Sequence, residues 1–344
     1  KLATSVQPLL KGEPQTLSAL WERLLRTPLL KLLADPVEKN RELAITLCSI
    51  ILADLPTEPL LVSLSHILPL VVGRIGPTEA EPAEELRLQL FELLQNLCRR
   101  SGPPLAAYLP EVVSILAAGF ADAFPDVKKL ACAICVDVCD SLAGRIEPHV
   151  ASLVHALVPA LSHQHSRVRS AATEALVSLI LREPSVLPEM GNALAIIATD
   201  RASTVREQAV HSITRLLATM PQRKAHAARL LPHLLCALSD EVEQIRQLAN
   251  VSLTKLGDLA RAGAPEPTPM PVSPDLAAAA AAASIEDSPM DERQSRGDEA
   301  AALAGAAVAA ASNACAPPPA ELRGTLFATV PPVGAAMLVA RELH

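Results

Sequence analysis

Leu238-Ser239-Asp240-Glu241-Val242-Glu243-Gln244-Ile245-Arg246-Gln247-Leu248-Ala249 is the stretch on which the fold turns. An acidic residue is followed six positions later by a basic one, an aliphatic residue stands just before the basic one, and a small residue lies three beyond it. Ile245 and Ala249 are four apart, so they share one side of a helix. The same arrangement recurs at Asp35/Arg41/Ala44, Glu81/Arg87/Leu90, Asp122/Lys128/Ala131, His163/Arg169/Ala172 and Asp200/Arg206/Ala209. Successive basic residues are separated by 46, 41, 41, 37 and 40 positions. A period of this size marks a stacked-repeat architecture. Ahead of most instances a second helical segment is expected, opening at Leu68-Pro69, Leu109-Pro110, Leu187-Pro188 and Leu231-Pro232. Each unit is thus two helices. One hairpin alone cannot bury its apolar face, so neighbouring units must stack. The expected class is all-α, a right-handed α-solenoid of about six helical hairpins.

Within each unit the acidic residue falls in the turn between helices, at or near the N-cap of the second, where its oxygen meets orphan backbone amides. Asp35 with Glu38, and Asp240 with Glu243, have the spacing of a capping box. Pro36 and Pro125 fall where a first helical turn tolerates a missing amide hydrogen. Leu86, Val127, Val168, Val205 and Ile245 are expected in the core, and the small residues let paired helices approach closely.

Composition agrees with helix packing. Of 344 residues, half are apolar, yet only one is Trp, one Tyr and four Phe, and no strand-like alternation occurs. The net charge of −7 offers no basic field to a phosphate backbone, and Trp21 and Tyr108 are too few to stack bases. Nucleic acid is therefore not an expected partner. Seven cysteines, an odd number, without an N-terminal signal region point to a reducing compartment and a cytoplasmic location. No uninterrupted apolar run reaches membrane-spanning length, the nearest being the Ala-rich stretch 301–311, so no membrane partner is expected. The chain begins at Lys1 and is expected to be part of a longer one.

Three segments are read along the chain. Residues 1–260 form the array. Residues 261–320 carry Pro265, Pro267, Pro269 and Pro271, the Ala277 to Ala283 run and an acidic patch, the composition of a disordered linker. Residues 321–344 regain apolar character but contain Pro331-Pro332, and no structure is assigned to them.

Two side-chain clusters in the array invite a chemical reading. Cys132, Cys135 and Cys139 share a helix face but lack a fourth ligand and a turn, so they are expected to pack in the core. His149, His155, His163 and His165 cluster without a nucleophile or converging ligands, and structural or partner-facing roles are expected. Phosphate-binding glycine loops and a nucleophile elbow are absent from the sequence. The reading is of a protein that is not an enzyme and takes no cofactor or metal. The residues singled out are Asp35, Arg41, Glu81, Arg87, Asp122, Lys128, His163, Arg169, Asp200, Arg206, Asp240 and Arg246, read as internal structure.

This spacing resembles the HEAT repeat, and the resemblance implies a ladder of turn Asp and second-helix Arg running along successive units. Asn40 in place of an aliphatic residue, Lys128 in place of Arg and His163 in place of Asp should weaken it locally. Phe124-Pro125-Asp126-Val127-Lys128-Lys129, Ser162-His163-Gln164-His165 before Val168-Arg169, Leu238 to Val242 before Arg246-Gln247-Leu248-Ala249, and Pro36 to Lys39 before Arg41 to Ala44 are similar to the HEAT-repeat dynein axonemal assembly factors, the HEAT-repeat-containing protein 2 family. The resemblance implies a cytoplasmic scaffold for preassembly of outer and inner dynein arms, with dynein heavy and intermediate chains, chaperones and other assembly factors as partners. A generic HEAT scaffold of the phosphatase-subunit or nuclear-transport type shares every helical feature. A nucleic-acid-processing HEAT-like enzyme requires a basic, aromatic-lined face that this composition does not supply.

Overall fold

Leu, Ala and straight-chain polar residues dominate the array, and they form helices throughout. The computed structural model describes residues 14–76, 80–221 and 223–262. Apart from Arg261 and Ala262, the segments 261–320 and 321–344 lie outside the described residues. The helices are α1 (Pro14–Leu20), α2 (Arg26–Leu32), α3 (Glu38–Asp54), α4 (Thr57–Ile75), α5 (Glu84–Ser101), α6 (Leu109–Ala121), α7 (Pro125–Ser141), α8 (Val150–Leu157), α9 (Ser166–Arg182), α10 (Gly191–Ala198), α11 (Ser203–Thr219), α12 (Arg223–Ala237) and α13 (Glu243–Arg261). A π-helical turn, Trp21–Leu25, joins α1 to α2, and no strand occurs among the described residues.

The odd-numbered helices from α3 onward are the second members of the hairpins. Each packs on the next, α3 on α5, α5 on α7, α7 on α9, α9 on α11 and α11 on α13, and each also packs on the first helix of its own unit. This nearest-neighbour layering makes the molecule an α-solenoid. The residues just before the basic position, Leu86, Val127, Val168, Val205 and Ile245, are all buried. So are the residues three beyond it, Ala44, Leu90, Ala131, Ala172, Ala209 and Ala249. Gly119 shows how closely the helices approach: a Cβ there would stand 2.5 Å from Phe91 Cζ and 2.7 Å from Ala131 Cβ.

Two sequence expectations need correction. Pro69 and Pro232 do not open helices but lie inside α4 and α12, and Pro188 lies inside the 3-10 turn Pro184–Met190, whereas Pro110 does stand in the first turn of α6. A proline inside a helix forfeits a backbone bond, at about 3 kcal/mol. Burial of Leu60, Leu64, Ile67 and Leu68 on α4 outweighs that loss, since a fully buried Leu or Ile contributes about 1.5–3 kcal/mol. The capping boxes do not form. Val37 and Val242 are the N-caps of α3 and α13, without side-chain capping, and Glu243 is taken by Arg246 and Gln247. Pro36 accordingly sits in the turn, outside α3, while Pro125 is the first residue of α7. Thr57–Ile75 and Pro103–Ala121 are each 19 residues long with mean hydropathies of 1.3 and 1.5, enough in length and composition to cross a membrane, though polar residues interrupt both and neither is an unbroken apolar run. Their apolar character serves the stack, where Leu60, Val71, Leu105 and Val112 are wholly buried.

Candidate functional site

The turns between paired helices carry the most organised polar chemistry in the molecule. In each, the acidic side chain accepts from the amide two residues on: Val37 N to Asp35 at 2.8 Å, Ala83 N to Glu81 at 3.2 Å, Phe124 N to Asp122 at 2.7 Å, Ala202 N to Asp200 at 2.8 Å and Val242 N to Asp240 at 2.8 Å. This is a side-chain-closed turn, tighter than a helix cap. The basic residue six positions on reaches back with Nη1 to the carbonyl of the residue that heads its turn: Arg41 to Asp35, Arg87 to Glu81, Arg169 to His163, Arg206 to Asp200 and Arg246 to Asp240.

The other edge of the guanidinium faces the next unit. Arg41 donates Nε and Nη2 to Glu81 at 2.6 and 2.7 Å, Arg87 to Asp122 at 2.7 and 3.0 Å, Arg169 to Asp200 at 2.6 and 2.6 Å, and Arg206 to Asp240 at 2.7 and 2.9 Å. Each rung therefore closes its own turn and clamps the following one with a bidentate fork, a geometry lysine cannot provide. Burial alone would raise the Glu81 and Asp200 pKa values. The arginines, Arg74 at Glu81 and the turn amides overcome it and leave both carboxyls below their ordinary range. Asp240 is held low first by its bond to Arg206.

Departures from the pattern behave differently from one another. Asn40 does not weaken its rung: its amide bonds Asp35 at 3.1 Å, and the Arg41–Glu81 pair beside it is among the most buried, with side chains 7% and 1% exposed. The rung between the third and fourth units has no carboxylate among the described residues. Lys128 Nζ turns to the carbonyl of Phe120 at 2.7 Å, and His163 uses Nδ1 to accept from His165 N at 3.1 Å, doing for its turn what the acids do for theirs. Desolvation lowers the Lys128 pKa, and desolvation together with the charges of Lys128, His165 and Arg169 lowers that of His163. At the last unit Arg246 pairs within its own helix, with Glu243.

Cys132, Cys135 and Cys139 are buried in α7, and burial pushes the Cys132 thiol up to about 12. The histidines do not converge: His155 and His165 are exposed, and the His163 and His165 rings lie 5.3 Å apart. No group of three or more His, Cys, Asp or Glu side chains suited to a metal occurs among the described residues. Sequence reasoning passed over several cross-unit bonds. Trp21 Nε1 donates to Ser63 at 2.7 Å, Arg99 pairs with Asp137 at 2.8 Å, and Arg182 pairs with Asp140 at 2.9 Å. Arg100 bonds the carbonyls of Leu52 and, at 2.5 Å, Leu55, closing the C-terminal end of α3 from the next unit. A basic pair in the last turn of α5 was the available signal for it.

A family model described as dynein axonemal assembly factor 5-like, TPR repeats, matches residues 3–261. Dynein axonemal assembly factor 5 of Xenopus laevis is 32% identical over 232 residues, covering 67% of this chain and 27% of that protein. The Homo sapiens protein of that name is 30% identical over 246 residues, 69% of this chain and 28% of its own length. The chain thus spans little more than a quarter of these relatives. Among solved structures, a designed armadillo repeat protein in complex with the peptide (KR)4 has a TM-score of 0.50 at 17% identity, covering 68% of this chain and all of that one. Kap121p bound to Pho4p has a TM-score of 0.53 at 13% identity, over 75% of this chain and 28% of that one. These neighbours establish the helical-repeat fold alone. With a continuous stack of paired helices and a family model matching nearly the whole of it, the chain belongs to the dynein axonemal assembly factor 5-like family.

Proposed function

We propose that this chain acts as a non-catalytic scaffold in the cytoplasmic preassembly of axonemal dynein arms, outer and inner, needed by motile cilia. The observation that carries the reading is the coincidence of the family match with the stacked array, residues 3–261 against helices running from Pro14 to Arg261. A stack of this kind spreads a binding surface over several units, so a large or extended protein engages many weak contacts at once. The strongly organised polar groups, the arginine rungs, are spent on holding units in register. Dynein heavy and intermediate chains, chaperones and other assembly factors are the partners this reading names.

The test is deletion of the gene in a ciliated cell, scoring dynein arms by electron microscopy and measuring cytoplasmic dynein heavy-chain levels. Arms are expected to be missing and heavy chain depleted, and re-expression of the chain is expected to restore both. Arms at normal density would overturn the assembly role. Affinity capture with the full chain that returns phosphatase subunits or transport cargo without dynein chains would favour a generic scaffold instead.

A further inference from the structure

The turn between α8 and α9 differs from the other turns along the array in having no carboxylate for the preceding unit. Elsewhere, each position where one unit's cation meets the next unit's turn is filled by a carboxylate from this chain. Here Lys128 spends one donor on Phe120 O and keeps two others. His163, whose Nδ1 accepts the His165 amide, carries its ring hydrogen on Nε2 when neutral and so has a donor to offer. Further nitrogen-bearing side chains lie close by in the chain or in space. The exposed His165 ring lies beside His163, Arg167 is exposed two residues further along, and exposed Arg201 reaches back from the next turn to the carbonyl of Gln164 at 3.1 Å.

Nearby acids are already committed: Asp122 to Arg87, Asp126 to Lys129 and Asp200 to Arg169. In a chain of net charge −7, this edge gathers basic groups around donors that no carboxylate among the described residues pairs with directly, Asp122 acting on Lys128 only through its charge. We infer that the turn edge formed by Lys128, His163, His165, Arg167 and Arg201 is a docking site for an acidic segment of a partner protein, one of whose anionic side chains completes the missing rung. The shared chemistry is an oxyanion, a carboxylate of Asp or Glu or the phosphate of a phosphorylated residue, received by Lys128 and the His163 ring hydrogen and flanked by His165, Arg167 and Arg201. This deepens the scaffold reading by naming the chemistry of one partner contact, and it rests on that reading only in supposing a protein partner.

The experiment uses the full chain and two fluorescein-labelled peptides of alternating Glu and Ala, one with a central phosphoserine replacing Glu, read by fluorescence anisotropy. Binding is expected at low ionic strength and is expected to fall as salt rises. The decisive variant is Lys128→Arg with His163→Asp, which supplies the rung from within. It is expected to melt no lower than the parent and to bind the peptides about tenfold more weakly. Lys128→Gln alone is expected to show the same loss of binding, and Lys255→Gln on α13 to bind like the parent. Tighter binding of the phosphopeptide identifies phosphate as the preferred anion, and equal binding identifies carboxylate as sufficient; either supports the site. No binding by the parent, undiminished binding by the rebuilt-rung variant, or an equal loss in Lys255→Gln would overturn it. Loss of dynein arms on deletion together with any of these results would sink the docking site and leave the scaffold standing.

Discussion

Replacing Asp200 by Ala removes one side of the most symmetric rung. Arg169 and Asp200 have side chains only 5% and 6% exposed, and their two bonds are both 2.6 Å. The change deletes both of these and the acceptor for Ala202 N, while the guanidinium stays pinned in place by the carbonyls of His163 and Gln164 at 2.7 and 3.1 Å. A buried cation left without its counter-charge costs about 3–5 kcal/mol. Asp200→Asn keeps one oxygen, shared by the turn amide and Arg169 Nη2 as Oδ1 is now, while its NH2 faces the Nε donor, and the loss should shrink to about 1.5–3 kcal/mol. The reference is Glu42→Ala, which breaks the exposed Lys39–Glu42 pair and should cost less than about 1 kcal/mol. Urea denaturation followed by circular dichroism measures all three, and the double variant Arg169→Met/Asp200→Ala should lose less than the sum of its parts. If Asp200→Ala and Glu42→Ala are equally mild, the rungs do not hold the units together and the coupling assigned to them is wrong.

Gly119→Ala places a methyl against Phe91 and Ala131 and should destabilise by about 1–3 kcal/mol, with part of the loss recovered by Phe91→Leu in the same urea titration. Ala172→Asp puts a charge at a wholly buried helix contact; the central units are expected to unfold, and an unchanged melting curve would contradict the packing. Cys48, Cys98 and Cys132, whose thiols burial raises to about 12, should resist iodoacetamide at pH 8 while exposed Cys236 reacts, as peptide mass spectrometry would show. Asp200 and Asp240 have folded-state pKa values below the ordinary carboxylate range, so their contribution is full above the unfolded pKa and lost as pH falls through the folded one. Asp240→Asn should therefore flatten the acid limb of stability against pH, and a limb unchanged from the parent would refute the assignment.

Much of this architecture is legible in the sequence because helices declare themselves through one-dimensional spacing. Val205 before Arg206, and Ala209 three beyond, suffice to place a buried face. The destination of each arginine is not in the spacing, since Asp35 and Glu81 are equally acidic and only stacking shows that Arg41 takes the carboxylate of Glu81 and merely the carbonyl of Asp35. Prolines misled for a related reason. Pro69 and Pro110 look alike locally, yet the apolar residues ahead of Pro69 bury deeply enough to carry the helix through it. The change at Lys128 and His163 was readable as a departure, but its meaning depends on Arg201 folding back from another turn.

Trp21 is the only tryptophan in the chain, lies wholly buried in the first unit, and donates its indole hydrogen to Ser63 on α4. Its emission consequently watches one end of the stack, whereas ellipticity sums over all of it. Comparing the two optical signals during melting tells directly whether the units come apart together or peel from that end, without attaching any label to the protein.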